Sequence, residues 1–483
     1  MYTDDIRFAT AARQQRSGIP GYGNGIQISR MNDLMAPTPG QIALTPEDLS
    51  RSHDRMRVLQ ARQTGQRPKL LWLLTGPGIL VMLGENDGPS MLSYAASGAT
   101  YGIGFFLPFI VVTFLAAFVI QEMSMRIGAV THRGYGELVF QRFGPFWGWM
   151  SAADLVLTNL ITLITEIIAI RVGMAFFGVP PLLAVGCAVA LVAVTSSGAR
   201  YWRWERIAMA LALFNLLFVA VAVLSRPSPG QLMDALVTWA PLPTGPFQGF
   251  LLILASNIGA TLTPWMLFFQ QSASVDKGLT PRDIPQGRLD TAIGTALAAL
   301  AGCAALVAAS TLYIHHVDSS GLLGGTGYAE ALQPLIGTFG SGLFALGLVE
   351  AGAVAMLTIS ASTAYAVGEV LGGSAHSFNR TIRQAPLFYG ANIGMAMFAG
   401  IIVLIPGMPL LAITLNANLL ATILMPAALV FLLIFANDRK IMGERVNSRP
   451  TNILGALIAL LVTLAGSSYA IVAFINSLSS KAS

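Results

Sequence analysis

Charge is what this chain has least of. Only 11% of its 483 residues are Asp, Glu, Lys or Arg, against about 25% in soluble domains, so a water-exposed globular surface cannot be built from it. Cysteine is scarcer still. Cys187 and Cys303 stand far apart, each inside an apolar stretch, which leaves neither a disulfide framework nor a cysteine metal motif. No His-Glu-x-x-His or Gly-x-Ser-x-Gly arrangement occurs at membrane depth, so the chain is read as a non-enzyme with no cofactor. The net charge is +5, but the basic residues are dispersed between apolar runs, which argues against a nucleic-acid partner.

What the chain has in abundance is apolar sequence in long runs: 54% of residues are hydrophobic and the mean hydropathy is +0.66. From Leu70 onward eleven segments are long enough to cross a hydrocarbon core ~30 Å thick, which takes ~20 residues. They lie near 70–98, 102–130, 146–178, 180–197, 203–225, 247–275, 287–315, 338–371, 384–405, 408–436 and 451–477. Lipid offers no hydrogen-bond partner to open backbone, so these segments are expected to be helices and the fold an all-α membrane protein. Residues 1–69 are polar, rich in Arg, Gln, Ser and Pro, and lack the apolar core of a signal peptide; they read as a disordered tail ahead of a transmembrane domain over 70–483.

The basic residues give an orientation. With the N-terminus inside, 25 of the 28 Lys and Arg residues fall in the tail or in loops on that side, leaving Arg171, Arg226 and Lys481 on the other. That asymmetry predicts a multi-pass protein of the plasma (inner) membrane, N-terminus cytoplasmic and C-terminus outside, and the alternation supports the number eleven. The sequon Asn379-Arg380-Thr381 then lies on an inside loop and is expected to be unglycosylated. Trp202 and Trp204, beside Arg200, Arg203 and Arg206, read as interfacial anchors.

Charged side chains are costly at membrane depth and point to function. About halfway along, the first span reads Gly84-Glu85-Asn86-Asp87-Gly88-Pro89-Ser90. Glycine weakens a helix and proline removes a donor, so an unwound break is expected, with free carbonyls facing a cavity together with Glu85 and Asp87. The sixth span carries a counterpart, Asn257-Ile258-Gly259-Ala260-Thr261-Leu262-Thr263-Pro264-Trp265. Breaks in the first and sixth spans are what an inverted five-plus-five repeat plus one extra helix would produce, with substrate bound at the midplane between the broken helices. Residue-level similarity between the halves is not visible, so the repeat is inferred from position.

Glu85 and Asp87 together supply up to two negative charges, enough to balance a divalent cation and to repel the carboxylate of an amino acid. Oxygen donors from Asp, Ser, Thr, Asn and backbone carbonyls suit hard ions such as Mg²⁺, Mn²⁺ or Ca²⁺. Glu166 in the third span either lines an ion or proton path or is a satisfied structural glutamate. Asn416 and Asn418 in the tenth span either complete the site or bond across helices. Glu350 and Glu369 in the eighth span and Asp154 in the third read as structural or interfacial, and His315 and His316 as exposed loop residues.

Several of these residues carry a resemblance. Gly76-Pro77-Gly78 opening the first span, Ile258-Gly259-Ala260-Thr261 before Pro264, and Asn437-Asp438-Arg439-Lys440-Ile441-Met442-Gly443-Glu444 continuing into Val446-Asn447 are similar to motifs of the Nramp divalent-metal transporters. From about Leu70 to its end the chain resembles that family, which implies the LeuT-type (APC superfamily) fold, a divalent metal ion as substrate and a lipid bilayer as surroundings, with a monomer as the transport unit. The departures are informative. Where the family has Asp-Pro-Gly-Asn, this chain has Asp87-Gly88-Pro89-Ser90, with Glu85 as an additional acid. Met-Pro-His becomes Thr263-Pro264-Trp265, which removes the soft thioether ligand and a histidine of the proton path; Leu163 stands where a third-helix aspartate is expected. Glu166 keeps the family's third-helix glutamate, and Asn418 falls where the family has a glutamine.

These substitutions resemble the Nramp-related magnesium transporter branch, which implies uncoupled movement of Mg²⁺ and Mn²⁺ by alternating access. In this reading Asp87 ligates the ion directly or through water. Glu85 and Asn86 add potential and orientation, Ser90 and Thr263 add oxygen contacts, Gly84 and Ala260 add carbonyls, and Asn418 closes the site. Trp265, like Glu166, belongs either to the ion pathway or to the residues that back the ligands, with no role legible for its bulk. The rivals are a proton-coupled Mn²⁺/Fe²⁺ transporter using Glu85 and Glu166 as proton carriers, a sodium-coupled amino-acid transporter, an ion channel and a membrane-embedded enzyme.

Overall fold

The computed structural model describes residues 52–197, 200–318, 327–371, 377–408 and 410–482, and the regular structure among them is helical, with no strand. The first apolar segment is cut twice, into α2 (Arg67–Leu74), α3 (Pro77–Gly84) and α4 (Gly88–Tyr101), after a preceding helix α1 (Ser52–Gln63). The stretch read as a disordered tail through residue 69 therefore contains α1 and the start of α2. Val58 and Ala61 of α1 are buried and Arg62 pairs with Asp283. A helix this polar carries too narrow an apolar stripe to be recognised from its sequence.

Next come α5 (Phe106–Thr131), α6 (Tyr135–Phe143), α7 (Pro145–Phe176), α8 (Pro181–Ser196) and α9 (Tyr201–Ala212). A 3₁₀ turn, Leu213–Leu216, joins α9 to α10 (Leu217–Leu224) within the fifth apolar segment. After α11 (Pro229–Thr238), the sixth segment is split into α12 (Phe247–Gly259) and α13 (Pro264–Lys277). The remainder comprises α14 (Ile284–Ile314), α15 (Gly327–Leu371), α16 (Pro386–Leu404), α17 (Leu410–Asn437), the short α18 (Arg439–Met442) and α19 (Arg449–Ala482).

Among the described residues nine helices are long and apolar enough to cross a membrane, with α12 and α13 taken as one and the fifth segment as one. The 16-residue α8 and the broken first segment fall short of that measure. They occupy the two remaining positions of the eleven apolar segments. Gly337 (φ +76°), three residues after Pro334, kinks α15, and the apolar stretch 338–371 begins where that kink ends.

The broken first span lies at the centre because its neighbours hold it there. α14 runs along α3 and α4, while α15 runs along α7 and also meets α3 and α4. Close approach rests on glycine. A Cβ on Gly78 would lie 2.5 Å from the Thr291 backbone nitrogen, and one on Gly294 would lie 2.7 Å from Ile79 Cα. The two ends of the bundle differ in chemistry. Ion pairs such as Arg126–Glu122 (3.1 Å), Arg288–Glu122 (2.8 Å) and Lys277–Glu205 occupy the span ends at the basic side. The opposite end is packed with rings, Tyr101, Phe105, Phe106, Trp239 and Phe250 among them.

Candidate metal-ion site

Local sequence forces the first break. Pro77 starts α3, and the N–H groups of Gly76 and Gly78 donate to Asp290 at 3.0 and 2.7 Å, fixing where that half-helix begins. Gly84 ends it. Pro89, in the first turn of α4, has no N–H to continue a ladder, and Asp87 caps the new helix by accepting from Ser90 N at 2.8 Å. The N–H of Gly88 donates to Glu166 Oε2, from α7, at 2.9 Å. Two carboxylates thus meet the N-terminus of α4, the positive end of its dipole. Only glycine serves at position 88, because a Cβ there would collide with the Ala169 side chain and lie 3.3 Å from Glu166 Oε2.

The second break faces the first. Thr263 is extended (φ −113°, ψ 150°) ahead of Pro264, and its hydroxyl donates to both oxygens of Glu85, at 2.9 and 2.8 Å. The Ala260 carbonyl accepts from Tyr94 OH at 3.0 Å, and the Thr261 hydroxyl bonds back to Asn257 O at 3.0 Å. Trp265 is fully buried beside the end of α3: a Cβ on Gly84 would lie 3.4 Å from its indole and 3.0 Å from the Thr358 hydroxyl. The bulk that sequence left without a role thus fills the wall between the two breaks.

Of the residues expected in the site, Gly84, Glu85, Asp87, Ser90, Thr263, Ala260, Trp265 and Glu166 are brought together around the breaks. Asn86 is there as well, but its amide nitrogen is turned away, donating to Asn215 Oδ1 (2.9 Å) and Ala298 O (2.8 Å). Asn418 departs from the expectation. It donates to Ser93 Oγ at 3.0 Å, which lies 2.8 Å from Ser256 Oγ, so it is held one turn along α4 rather than at Asp87. The reason is packing: Gly259 lies directly against the Asn418 backbone, which fixes the height of α17. Asn416 is exposed.

Five buried polar atoms around the breaks have no hydrogen-bond partner: Asp87 Oδ2, Ser90 Oγ, Glu166 Oε1, Asn86 Oδ1 and Trp265 Nε1. Each unpaired buried group costs about 1–3 kcal/mol, so such a concentration makes the breaks the candidate binding site. Four of the five are oxygens, the donors hard cations take. Among the described residues no group of three or more His, Cys, Asp or Glu is arranged to hold a metal ion, and here acids and neutral oxygens are interleaved.

Sequence reasoning missed Tyr94, Asn215 and Thr358, which support the site from α4, the fifth span and α15. Asn215 was detectable as a lone amide in an apolar run; a tyrosine or threonine in such a run carries no signal. Trp204, read as an interfacial anchor, is buried and stacks on Phe378 at 4.6 Å, whereas Trp202 lies under the Lys277 ammonium at 4.2 Å. Glu369 is structural: it accepts from Gly136 N at 2.8 Å and from the Ser272 hydroxyl. His315 and His316 are exposed, and Asp154 is half-buried.

Known proteins share this fold. The chain is 26% identical over 419 residues to the divalent metal cation transporter MntH of Yersinia enterocolitica, covering 83% of this chain and 94% of that one. The MntH of Erwinia tasmaniensis is 26% identical over 413 residues, with the same coverage. Among solved structures, the manganese transporter of Eremococcus coleocola superposes with a TM-score of 0.68 at 20% identity, over 82% of this chain and 86% of that one. MhsT, solved in complex with L-phenylalanine, superposes with a TM-score of 0.53 at 14% identity, over 82% of this chain and 97% of that one. The fold is therefore the LeuT-type arrangement with broken first and sixth spans. Residues 78–472 match the family described as natural resistance-associated macrophage protein-like, and the chain belongs to the Nramp family of membrane transporters of divalent metals.

Proposed function

We propose that the protein moves hard divalent cations, Mg²⁺ first and Mn²⁺ second, by alternating access and without proton coupling. The observation that carries this reading is the donor set at the breaks: unpartnered oxygens on Asp87, Ser90 and Glu166, with a hydroxyl and an indole, Thr263 and Trp265, on the opposing break. Such a set contains no thioether or imidazole to favour softer metals. Mg²⁺ dehydrates reluctantly and keeps several waters, which suits a site built on small residues such as Gly84, Gly88, Ser90 and Thr263. Asp87 ligates the ion directly or through water, and Ser90 adds an oxygen. Glu85 adds negative potential while Thr263 holds its carboxylate; the Gly84 and Ala260 carbonyls line the path. Asn86 orients the break, and Asn418 acts from one turn away.

In this reading the transport unit is a monomer in the plasma membrane, with its N-terminus cytoplasmic and its C-terminus outside. Influx is driven by the concentration gradient and by the membrane potential, worth ~2.3 kcal/mol per charge per 100 mV. A second reading, proton-coupled Mn²⁺ transport with Glu85 and Glu166 as proton carriers, is favoured by the relatives, which are named as divalent metal cation and manganese transporters. Uptake into proteoliposomes at fixed potential, with internal metal and internal pH read together, separates the two. Mg²⁺ entry at constant pH is the expected result. Mn²⁺ entry with acidification and no Mg²⁺ entry establishes the second reading.

A further inference from the structure

On the far side of the first break lies a polar cluster that shares only Asn86 with the metal site. The 3₁₀ turn Leu213–Leu216 interrupts the fifth span and turns Asn215, fully buried, toward two partners. Its Oδ1 accepts from Asn86 Nδ2 at 2.9 Å, and its Nδ2 donates to Glu350 Oε2 at 3.3 Å. Glu350 is 7% exposed, and its other oxygen, Oε1, has no partner; nor does Oδ1 of the fully buried Asn86.

A carboxylate in such surroundings needs a counter-charge, because burying an unpaired charge is far costlier than burying a neutral group. Among the described residues none is paired with it. Glu85 is bonded to Thr263, Asp87 to Ser90 and Glu166 to Gly88, all at the breaks. On the other packed elements, Arg171 donates to Val403 O, Glu205 pairs with Lys277, and Asp290 accepts from Gly76 and Gly78. Arg206 lies over the Trp72 ring and Arg288 pairs with Glu122. Asp276 accepts from Tyr365, and Glu369 from Gly136. Arg133 pairs with Glu137 and Arg142 with Asp438, while Asp154, lower on α7, is only half-buried.

We propose that Glu350, Asn215 and Asn86 form a second ion site, for a single positive charge, set behind the divalent-ion site. One carboxylate with amide oxygens balances a proton or a small alkali cation, whereas a divalent ion calls for more charge than this cluster holds. The inference rests on the reading of the first break as the metal site, because Asn86 belongs to both. Occupation of the second site fixes the Asn215 amide, Asn215 holds Asn86, and Asn86 lies between Glu85 and Asp87. The bound charge thereby sets the affinity of the break for its divalent ion, by about fivefold or more if the coupling is of ordinary size.

The test is infrared difference spectroscopy on the full-length protein in lipid nanodiscs, wild type against Glu350→Gln, titrated with acid and separately with Na⁺. A proton ligand gives Glu350 a neutral-carboxyl stretch that grows on acidification; an alkali ligand gives a carboxylate stretch that moves with Na⁺. In either case addition of Mn²⁺ perturbs the Glu350 band. In Asn215→Leu, which removes an amide of the site and the link to Asn86, the band loses its answer to Mn²⁺ and needs a higher Na⁺ concentration or a different pH to respond, which keeps the proposal testable if Glu350→Gln does not fold. A Glu350 band indifferent to acid, Na⁺ and Mn²⁺ overturns it. Absence of divalent uptake by the wild type would overturn the transport reading, while the acid and Na⁺ titrations would still decide the second site.

Discussion

The two breaks share a glycine and a proline near mid-span and differ in what they leave unfinished. At the first, Asp87, Ser90 and Asn86 each keep a buried oxygen without a partner, and Glu166 adds another from α7. At the second, Ala260 is engaged by Tyr94, Thr261 by Asn257 and Thr263 by Glu85. The first break carries charge and unmet valence; the second is neutral and, at these three positions, satisfied. In the proposed reading a substrate ion is bound by the first and enclosed by the second, and Glu85–Thr263 is where the two touch. Two broken spans can share one geometry while only one of them keeps several oxygens unpartnered.

Substitutions can break that asymmetry, and the effects are expected to fall in a definite order. Glu166→Leu leaves the Gly88 N–H unpaired and removes an acid from the charged break. A buried bond to a charged group is worth about 1.5–3 kcal/mol, so apparent metal affinity measured by calorimetry should drop roughly ten- to a hundred-fold. Thr263→Val separates the breaks by freeing both Glu85 oxygens and should weaken uptake about tenfold, a loss of ~1.4 kcal/mol. Thr263→Met also frees them but restores a thioether, so a higher Mn²⁺-to-Mg²⁺ uptake ratio in Met than in Val isolates the contribution of sulfur. Tyr94→Phe removes one neutral bond from the Ala260 carbonyl, worth about 1 kcal/mol, and should cost no more than about fivefold in the same uptake assay. An effect of Tyr94→Phe larger than that of Glu166→Leu would invert the assignment of charge and frame.

Much of this was legible in the sequence because a membrane leaves few options. The apolar runs, the basic asymmetry and the placement of Gly84, Pro89, Gly259 and Pro264 mark the spans and both breaks. Glu85, Asp87 and Thr263 were legible as polar residues that have no other reason to be there. The pairing of Glu85 with Thr263 was not, because no sequence distance encodes a contact across 178 positions. Asn418 was misplaced for a related cause: its height depends on how α17 packs against Gly259, a property of two helices and not of one residue. The interruption at Asn215 was also hidden, since Leu213–Leu216 carries neither glycine nor proline and bends under tertiary packing alone.

The central claim is that the unpartnered Asp87 oxygen holds the transported ion. It is tested most directly by Asp87→Ala, purified, shown to be folded by circular dichroism and size-exclusion chromatography, and reconstituted beside the wild type for Mg²⁺ and Mn²⁺ uptake. The account predicts a folded protein with uptake of both ions abolished. Uptake of either ion at the wild-type rate would contradict it.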